Sequence, residues 1–229
     1  MKTSIFAISD LHLSCAADKP MDIFGKQWEN HWERIQQDWT ERVSCDDIVL
    51  IPGDISWAIK LSDARVDLDS IGELPGKKIL IKGNHDYWWS SISKVRSTLP
   101  SSMHVLQNDS IKESEFTFCG TRGWINPGMK DFSQQDAKIY NREIQRLRLS
   151  LDSAASYENL IVLLHYPPFD EKGRPAEMVH TLVEYKPAHV VYGHLHGEGC
   201  RTAFEGEYES TEYHLVSCDY LDFRLKQIV

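Results

Sequence analysis

The stretch KILIKGNHD, residues 78–86, places an apolar run directly before the polar triplet Asn84-His85-Asp86. A short apolar run that ends at a glycine is typical of a buried β-strand, and Gly83 suits the sharp turn that must follow it. The same arrangement recurs at four other places, where apolar runs lead into Asp10-Leu11-His12, Gly53-Asp54, His165 and Gly193-His194-Leu195-His196. Because ligands in open α/β sheets gather at the carboxyl ends of strands, the five loops are expected to converge on one crevice.

Around these five stretches, the apolar pattern alternates between β-strands and amphipathic helices. Short apolar runs predict strands at residues 3–9, 47–51, 77–82, 103–107, 115–120, 158–164 and 188–192. Apolar residues at steps of three and four predict helices at residues 24–43, 62–74, 90–99, 133–154 and 175–185. The C-terminal residues 201–229 alternate like antiparallel strands, with Gly206 in a turn. This succession predicts a layered α/β fold in a single domain over residues 1–229.

The composition argues against several classes of function. The formal net charge is −9 at pH 7, so an electrostatic grip on the phosphates of nucleic acid is not expected. The five cysteines are scattered and form no CxxC pair, which is typical of reduced thiols rather than of a disulfide framework. The N-terminal apolar run reaches Asp10 too soon for a signal peptide, and no later run is long enough to cross a bilayer. We therefore expect a cytoplasmic protein that does not bind membranes.

The polar residues at the five strand ends have the chemistry of a metal site. Aspartate, histidine and asparagine supply oxygen and imidazole donors without a thiolate, and this set suits Mn, Fe or Zn. The stretches hold more such side chains than one ion needs. Two divalent ions that share a carboxylate would use them all, so the pattern favours a site with two metals.

Each motif also has a simpler explanation when it is taken alone. Asp10 could form a local side-chain turn, and a lone histidine is most simply a surface or hydrogen-bonded residue. For that reason no role is assigned to the histidines outside the five stretches, which are His31, His104, His180, His189 and His214. Five pieces in order, each directly after an apolar run, nevertheless favour one shared site over a chance arrangement.

The five stretches, from residue 10 to residue 196, resemble the motif series of the calcineurin-like metallophosphoesterases in residues and in order. The resemblance implies a four-layer α/β/β/α sandwich in which helices flank two mixed β-sheets. It implies that Asp54 bridges two metals, with Asp10, His12 and His196 on one and Asn84, His165 and His194 on the other. Residues i and i+2 of an extended segment point the same way, so both histidines of GHLH can face one crevice.

The activity that the resemblance implies is hydrolysis of a phosphoester by metal-bound hydroxide. The substrate would be a phosphomonoester or a phosphodiester, and it would be a nucleotide or another small molecule. Two divalent ions carry four positive charges and two carboxylates cancel two, so the site should attract an anion despite the acidic total. By the same resemblance, His85 would protonate the leaving oxygen or stabilise the transition state. Asp86 could orient the His85 imidazole, although a carboxylate at a helix N-terminus explains it equally well.

Departures from the family pattern bear on the substrate. Phosphoprotein phosphatases of this superfamily extend the second motif as GDxxDRG, whereas here Gly53-Asp54 is followed by ISWA, which argues against a protein substrate. Many smaller members have an Asn-Pro-Gly-Ser-like strand end after GHxH, where this chain has Val216-Ser217-Cys218-Asp219, and no role is assigned to it. Arg122 is a candidate phosphate clamp, with a surface ion pair as the alternative. Trp88-Trp89 could stack on a base, although core packing is the simpler explanation.

Two other functions remain open at this point. A non-catalytic metal-binding scaffold of the same fold would bind proteins, but degraded ligands would signal it and no ligand position is missing here. A hydrolase of a non-phosphate ester or amide could use the same metals. The loop of residues 14–21 is expected to border the site, and the polar helix 133–154 is expected to be solvated or to form a lid. The oligomeric state is left open.

Overall fold

The computed structural model describes residues 3–15, 19–129 and 131–229, in which two β-sheets pack face to face. The strands of the first sheet are β1 (Ile5–Ala7), β2 (Ile48–Ile51), β3 (Lys77–Leu80), β4 (Met103–Val105) and β11 (Lys226–Gln227). Their order is β11-β1-β2-β3-β4. Strands β1 to β4 run parallel, and β11 pairs with β1 antiparallel at the edge. The first sheet is therefore mixed.

The second sheet is also mixed. Its strands are β5 (Ile111–Glu113), β6 (Phe116–Thr121), β7 (Leu160–Leu164), β8 (His189–Tyr192), β9 (Gly206–Tyr208) and β10 (Thr211–Leu215). Their order is β5-β6-β7-β8-β10-β9. The four central strands are parallel, and the antiparallel strands β5 and β9 form the two edges. Both sheets therefore present the carboxyl ends of several parallel strands.

Helices cover the outer face of each sheet. The first sheet carries α1 (His31–Arg42), α2 (Leu61–Gly72) and α3 (Ile92–Thr98), and the second carries α4 (Gln134–Asp152) and α5 (Glu177–Tyr185). The layers are thus α/β/β/α, which confirms the fold class that the family resemblance implies. In the described part of the chain, no helix has the length and apolar character needed to span a bilayer.

The inner strands are buried on both faces, which explains why the apolar pattern indicates layers without showing their arrangement. Every residue of β2 and of β7 is buried. In β1, Ile5 and Ala7 pack between the two sheets, whereas Phe6 packs beneath the helices. A strand that has protein on both sides needs no polar alternation, so it appears in sequence as a continuous apolar run.

The helix predicted at residues 24–43 begins later than its apolar spacing suggests. Two short 3₁₀ helices, Met21–Phe24 and Lys26–Trp28, precede α1, which starts at His31. Between them Gly25 has φ +131°. This value lies outside the helical region, and glycine adopts it without strain. The break takes Trp28 out of the helix, so its indole does not follow the α1 face that holds Ile35 and Trp39.

The C-terminal segment differs from the predicted antiparallel pattern. Strands β9 and β10 do form an antiparallel pair, but β10 runs parallel to β8 and β11 joins the other sheet. Gly206 begins β9 rather than a turn, and Glu209 and Ser210 make the turn with φ values of 49° and 65°. Because β10 is parallel to β8, the residues that follow β10 lie at the same carboxyl end of the sheet as Gly193-His194-Leu195-His196.

Helix α4 is packed on the second sheet and does not form a lid. Ser133 caps its N-terminus in a reciprocal pair with Asp136. On the buried face, Leu147 and Leu151 share an apolar cluster with strands of the sheet, and the Ser150 hydroxyl accepts a hydrogen bond from Gly120 N at 2.9 Å. Arg142 on the opposite face is exposed, so α4 has the expected solvated side, whereas the expectation of a lid is wrong.

Candidate metal centre

The loops that follow β1, β2, β3, β7 and β8 meet where the two sheets adjoin. Main-chain hydrogen bonds close this seam: Ser9 N donates to Val216 O at 2.8 Å and Cys218 N donates to Ser9 O at 3.0 Å. Within the first sheet, Asp10 N donates to the carbonyl of Gly53 at 3.0 Å. The seam therefore brings together side chains that are far apart in sequence.

The first group of ligand atoms comes from both sheets. Asp10 Oδ1 lies 3.5 Å from His196 Nε2, and His12 Nε2 lies 3.4 Å from the same nitrogen. Ligands held at 2.0–2.2 Å by one ion lie about 3–4 Å from one another. Asp10, His12 and His196 are therefore spaced as three ligands of a single ion would be.

The second group contains the amide of Asn84. Its Oδ1 lies 2.6 Å from His165 Nε2 and 3.0 Å from His194 Nδ1. The three residues come from the ends of β3, β7 and β8, so this group also spans the two sheets. The structure thus divides six of the predicted ligands into the two sets that the sequence resemblance implies.

Asp54 stands between the two groups. Its Oδ2 lies 3.8 Å from His12 Nε2 and 3.5 Å from His165 Nε2, while its Oδ1 accepts a hydrogen bond from His85 N at 2.8 Å. One carboxylate oxygen is therefore directed at both groups, and the other is held by the backbone. This is the placement that a bridging carboxylate requires.

Comparison with known proteins agrees with this geometry. The family model described as Calcineurin-like phosphoesterase matches residues 3–198. The chain belongs to the calcineurin-like phosphoesterase family. A curated relative, the Gene 66 protein of Mycobacterium phage D29, is 36% identical over 88 residues. That stretch covers 37% of this chain and 41% of the relative, so the match spans less than half of either protein.

Two solved structures share the fold of this family member. The phosphopantetheinyl hydrolase from Mycobacterium tuberculosis has a TM-score of 0.62 at 14% identity, with 100% of this chain and 96% of that chain covered. The protein of unknown function AQ665 from Aquifex aeolicus has a TM-score of 0.53 at 14% identity, with coverage of 99% and 96%. At such low identity the similarity shows the fold alone.

Two histidines of the phosphoesterase centre are oriented through their second ring nitrogen. His165 Nδ1 lies 2.9 Å from Pro52 O, and His196 Nδ1 lies 2.8 Å from Asp219 Oδ1. A carbonyl or carboxylate at one nitrogen fixes the tautomer and leaves the other nitrogen free to bind a metal. His165 and His196 are therefore held with Nε2 toward the centre.

Asp219 is a functional candidate that sequence reasoning missed. It belongs to the segment Val216-Ser217-Cys218-Asp219, where Ser217 Oγ also donates to Asp10 Oδ2 at 3.1 Å. The Asp219 carboxylate in addition accepts a hydrogen bond from Gly197 N at 3.0 Å. The signal was present, since an aspartate follows an apolar strand, but the strand was expected to be antiparallel. This segment therefore contacts both Asp10 and His196 and helps to fix their positions.

Replacing Asp219 with asparagine should weaken metal binding by about 10–100-fold, the usual effect of removing a residue that orients a ligand. The amide keeps the size of the side chain but loses one of the two acceptors that serve His196 and Gly197. Equilibrium dialysis against zinc or manganese would measure the change. Asp222→Asn is the matched control, because Asp222 is an exposed acid three residues away. Equal affinities for both variants would show that Asp219 does not support His196.

The backbone of the centre is held in an unusual conformation. Positive φ values occur at four predicted ligands, with 58° at Asp10, 46° at His12, 53° at Asp54 and 73° at His194. Residues other than glycine rarely adopt this region, and they cluster in it at functional sites where the surroundings enforce it. The loops are therefore shaped by the fold, and they direct their side chains inward.

Close approach of the loops explains two of the glycines. A methyl group at Gly83 would overlap the carboxylate and the main-chain nitrogen of Asp54. At Gly193 a methyl group would overlap Asp10 Oδ2 and Ser9 Oγ. Both glycines thus let a neighbouring loop place its aspartate against their Cα atoms.

The electrostatics of the centre suit positive ions. Burial, together with the charges of Asp10 and Asp86, raises the pKa of Asp54 to about 9. Burial lowers the pKa of His12 and of His194 to about 3, so both imidazoles are neutral, as metal ligands must be. A buried carboxylate beside neutral imidazoles is stable when a cation joins them. The donor set therefore fits two divalent ions.

The pKa of His196 reflects the two carboxylates, Asp10 and Asp219, that lie beside its ring. Burial lowers the pKa of His196, but the hydrogen bonds and charges of Asp10 and Asp219 outweigh that effect and raise it to about 10. The hydrogen bond and the charge of His196 in turn outweigh burial and hold the pKa of Asp10 below its usual value. Asp10 therefore remains an anionic donor beside His196.

Asp86 has a different role from either one expected. It is fully buried, and its Oδ1 accepts hydrogen bonds from Ile55 N at 2.8 Å and from Trp88 Nε1 at 2.9 Å. Its Oδ2 accepts from Asp54 N at 3.0 Å and Gly83 N at 2.8 Å. These bonds join the second and third motif loops to each other. The predicted contact between Asp86 and the His85 ring is therefore wrong. The alternative, in which Asp86 lies at a helix N-terminus, is also wrong, because α3 begins only at Ile92.

His85 itself lies beside Asp54, to which its backbone N–H donates a hydrogen bond. Its half-buried ring is 4.7 Å from the Trp57 ring and 5.8 Å from the His12 ring, between ring centres. Among the described residues its buried Nδ1 has no hydrogen-bond partner. The imidazole borders the same cavity as His12 and Asp54, without itself being in either ligand group.

The residues predicted to shape specificity lie elsewhere. Arg122 points into a separate cavity of about 190 Å³, with its guanidinium 3.7 Å from Glu143 Oε1 and 4.6 Å from the centre of the Trp124 ring. The role of Arg122 as a phosphate clamp in the metal centre is therefore not supported, and the ion-pair alternative is. Trp88 and Trp89 are 1% and 7% exposed, so they are core residues rather than a stacking surface.

Other aromatic residues face the metal centre instead. A cavity of about 350 Å³ opens over His12, Asp54 and His196, and its apolar side is formed by Met21, Phe24, Trp28 and Trp57. The Trp57 ring stacks on His12 at 4.7 Å. On the loop 14–21, Lys19 Nζ lies 4.6 Å from the centre of the Trp57 ring, while residues 16–18 lie outside the described residues. The loop borders the site, as expected.

Proposed function

We propose that this protein hydrolyses a small phosphoester with the help of two divalent metal ions, of which Mn, Fe and Zn fit the donors. The proposal rests mainly on Asp54 Oδ2, which lies within 3.8 Å of one histidine and 3.5 Å of another from the opposite ligand group. Asp54 would bridge the ions, with Asp10, His12 and His196 on one and Asn84, His165 and His194 on the other. When bound, the ions would polarise the phosphoryl oxygens and lower the pKa of the attacking water.

The chain supplies the remaining groups. His85 would donate a proton to the leaving oxygen, because its ring borders the cavity that contains Asp54 and His12. The adjacent Trp57 packs against both His12 and His85, at 4.7 Å from each ring, and would hold them at a fixed distance. Asp86 would keep the loops of Asp54 and Asn84 together through the backbone. None of these roles needs a nucleophilic side chain.

The shape of the cavity suggests the class of substrate. A volume of about 350 Å³ suits a small molecule, and the wall formed by Met21, Phe24 and Trp28 would contact an apolar or planar group on the phosphorus. A nucleotide is one such substrate. The fold shared with a phosphopantetheinyl hydrolase supports a hydrolase. Five free cysteines support the proposed cytoplasmic location.

Phe24→Ala should raise KM for an aromatic phosphoester by about 3–10-fold with little change in kcat, since a ring contact contributes about 1 kcal/mol. Phe24 lines the cavity and is 60% exposed, so its loss should not unfold the protein. Ile23→Ala is the matched control, because Ile23 is 72% exposed and does not line this cavity. Steady-state kinetics on nitrophenyl phosphate and on methyl phosphate would show the difference. An equal KM change for both substrates would contradict contact with the aromatic group.

One assay separates the three candidate functions. The protein is stripped with a chelator, loaded with Mn, Fe or Zn, and tested on nitrophenyl phosphate, bis-nitrophenyl phosphate and nitrophenyl acetate. Metal-dependent release from either phosphate ester is expected, and the ratio of the two rates decides between monoester and diester. Release from the acetate alone would favour a hydrolase of other esters. No release with metals bound would favour the non-catalytic scaffold. A nucleotide panel then narrows the substrate.

A further inference from the structure

We propose that His189, Glu212 and His214 form a separate metal site on the second sheet, away from the phosphoesterase centre. His189 is the first residue of β8, whereas the ligand His194 follows the end of that strand. Five residues of extended chain span about 16 Å, so the two sites lie at opposite ends of β8. This site does not depend on the proposed function.

Strand pairing places the three side chains together. Strands β8 and β10 are parallel, with Glu212 opposite His189 and His214 opposite Val191. Because side chains alternate along a strand, Glu212 and His214 point to the same face of the sheet as His189. Neither histidine was assigned a role in the sequence, since each stands alone there and only the pairing of β8 with β10 brings them together.

The distances fit one ion. His189 Nδ1 lies 3.1 Å from His214 Nε2 and 3.7 Å from Glu212 Oε2. All three ligand atoms lie within 4.8 Å of one another. Two nitrogens held at 2.0–2.1 Å by a tetrahedral zinc ion lie about 3.3 Å apart, so little movement would be needed. Two histidines and one glutamate are a known donor set for zinc, with cobalt and nickel as close substitutes.

Burial and charge also favour a cation. His214 is 6% exposed, while Glu212 is exposed, so the site is closed on one side and open to solvent on the other. In the described part of the chain, Glu212 pairs with His189 rather than with a lysine or arginine. The nearby Lys226 is paired with Glu205 at 2.5 Å. Burial lowers the pKa of both histidines, to about 4 for His214, which leaves them neutral and able to bind a metal.

The two strands that the ion would join both lead to the metal centre. Strand β8 ends before His194 and His196, and β10 ends before Ser217 and Asp219. An ion at the start of the strands would hold their register and so support the loops at their ends. The competing explanation is a simple hydrogen bond between His189 and His214, with Glu212 unconnected to it.

Zinc counting tests the proposal. Wild type, His189→Gln and Glu212→Gln are dialysed against zinc, and bound metal is measured by elemental analysis. His180→Gln is the control, because His180 is an exposed histidine on α5. We expect the first two variants to bind about one ion fewer per chain than wild type, and the control to bind as many as wild type. Equal zinc in wild type and in both variants would overturn the proposal.

Thermal unfolding gives a second measurement. Zinc at 100 times the Kd of a site should raise Tm by about 5–10 °C, so the increase should be smaller by that amount in both variants. The buried His214 is left unchanged to protect folding. Circular dichroism of the metal-free variants checks that they are folded. If the phosphoesterase centre bound no metal, the difference of one ion would remain. If this site is absent, the difference disappears while the ions of the phosphoesterase centre remain.

Discussion

His85→Ala should lower kcat on nitrophenyl phosphate by about 10²–10⁴-fold while both metals stay bound. The backbone of His85, not its ring, donates the hydrogen bond to Asp54, so truncating the side chain leaves that contact in place. Because the imidazole belongs to neither predicted ligand group, its removal should not take away a metal ligand. Kinetics and elemental analysis on the same sample would measure turnover and metal content together.

His104→Ala is the control for that experiment, because His104 is exposed on β4, away from the centre. It should match wild type in kcat and in metal content. Unchanged turnover in His85→Ala would remove this residue from the chemistry. Loss of metal from His85→Ala would instead show that the ring holds the ligand loops in place.

Asp54→Asn should lower the affinity for both metals by about 100-fold or more and abolish most activity. Asp54 Oδ1 accepts a hydrogen bond from His85 N, so the amide oxygen must take that position. The amide NH₂ then replaces Oδ2, which is directed at His12 and His165, and an NH₂ group cannot bind a metal. Competition with a metal-sensitive dye would measure both affinities. Retention of either ion at wild-type affinity would contradict the bridging role.

The same variant should not unfold. Burial and the charges of Asp10 and Asp86 raise the pKa of Asp54 to about 9, above its value in the unfolded chain. Such a group favours the folded state at low pH and disfavours it as pH rises from about 4 to 9. At pH 7 and without metal, Asp54→Asn should therefore melt at or above the Tm of wild type. Asp46→Asn, an exposed position, is the control.

The clustering of the predicted ligands could be foreseen because strand ends are local in sequence. Each predicted ligand follows an apolar run, and parallel strands bring such ends together whatever their order in the sheet. The predicted ligands Asp10, Asp54, Asn84, His165 and His194 lie together for this reason. The order of the strands and the division into two sheets had to come from the family resemblance, since strands such as β2 and β7 are buried on both faces and show no alternation.

The remaining residues depend on contacts that no local pattern contains. Asp86 accepts hydrogen bonds from backbone groups of another loop, and these depend on how the loops approach each other. The orientation of the Arg122 side chain depends on its ion pair with Glu143 of α4. Asp219 was missed because β10 pairs parallel with β8, and the start of α1 was placed too early because the apolar spacing does not reveal the break at Gly25.

The seam between the sheets links metal affinity to the cooperativity of unfolding. Ser9 contributes hydrogen bonds to Val216 and Cys218 at the place where both sheets supply ligands. Any partial opening that separated one sheet from the other would also separate the members of both predicted ligand groups. Bound cations would therefore add their binding free energy to the cost of that opening, and we expect amide hydrogen exchange in both sheets to slow together as metal concentration rises.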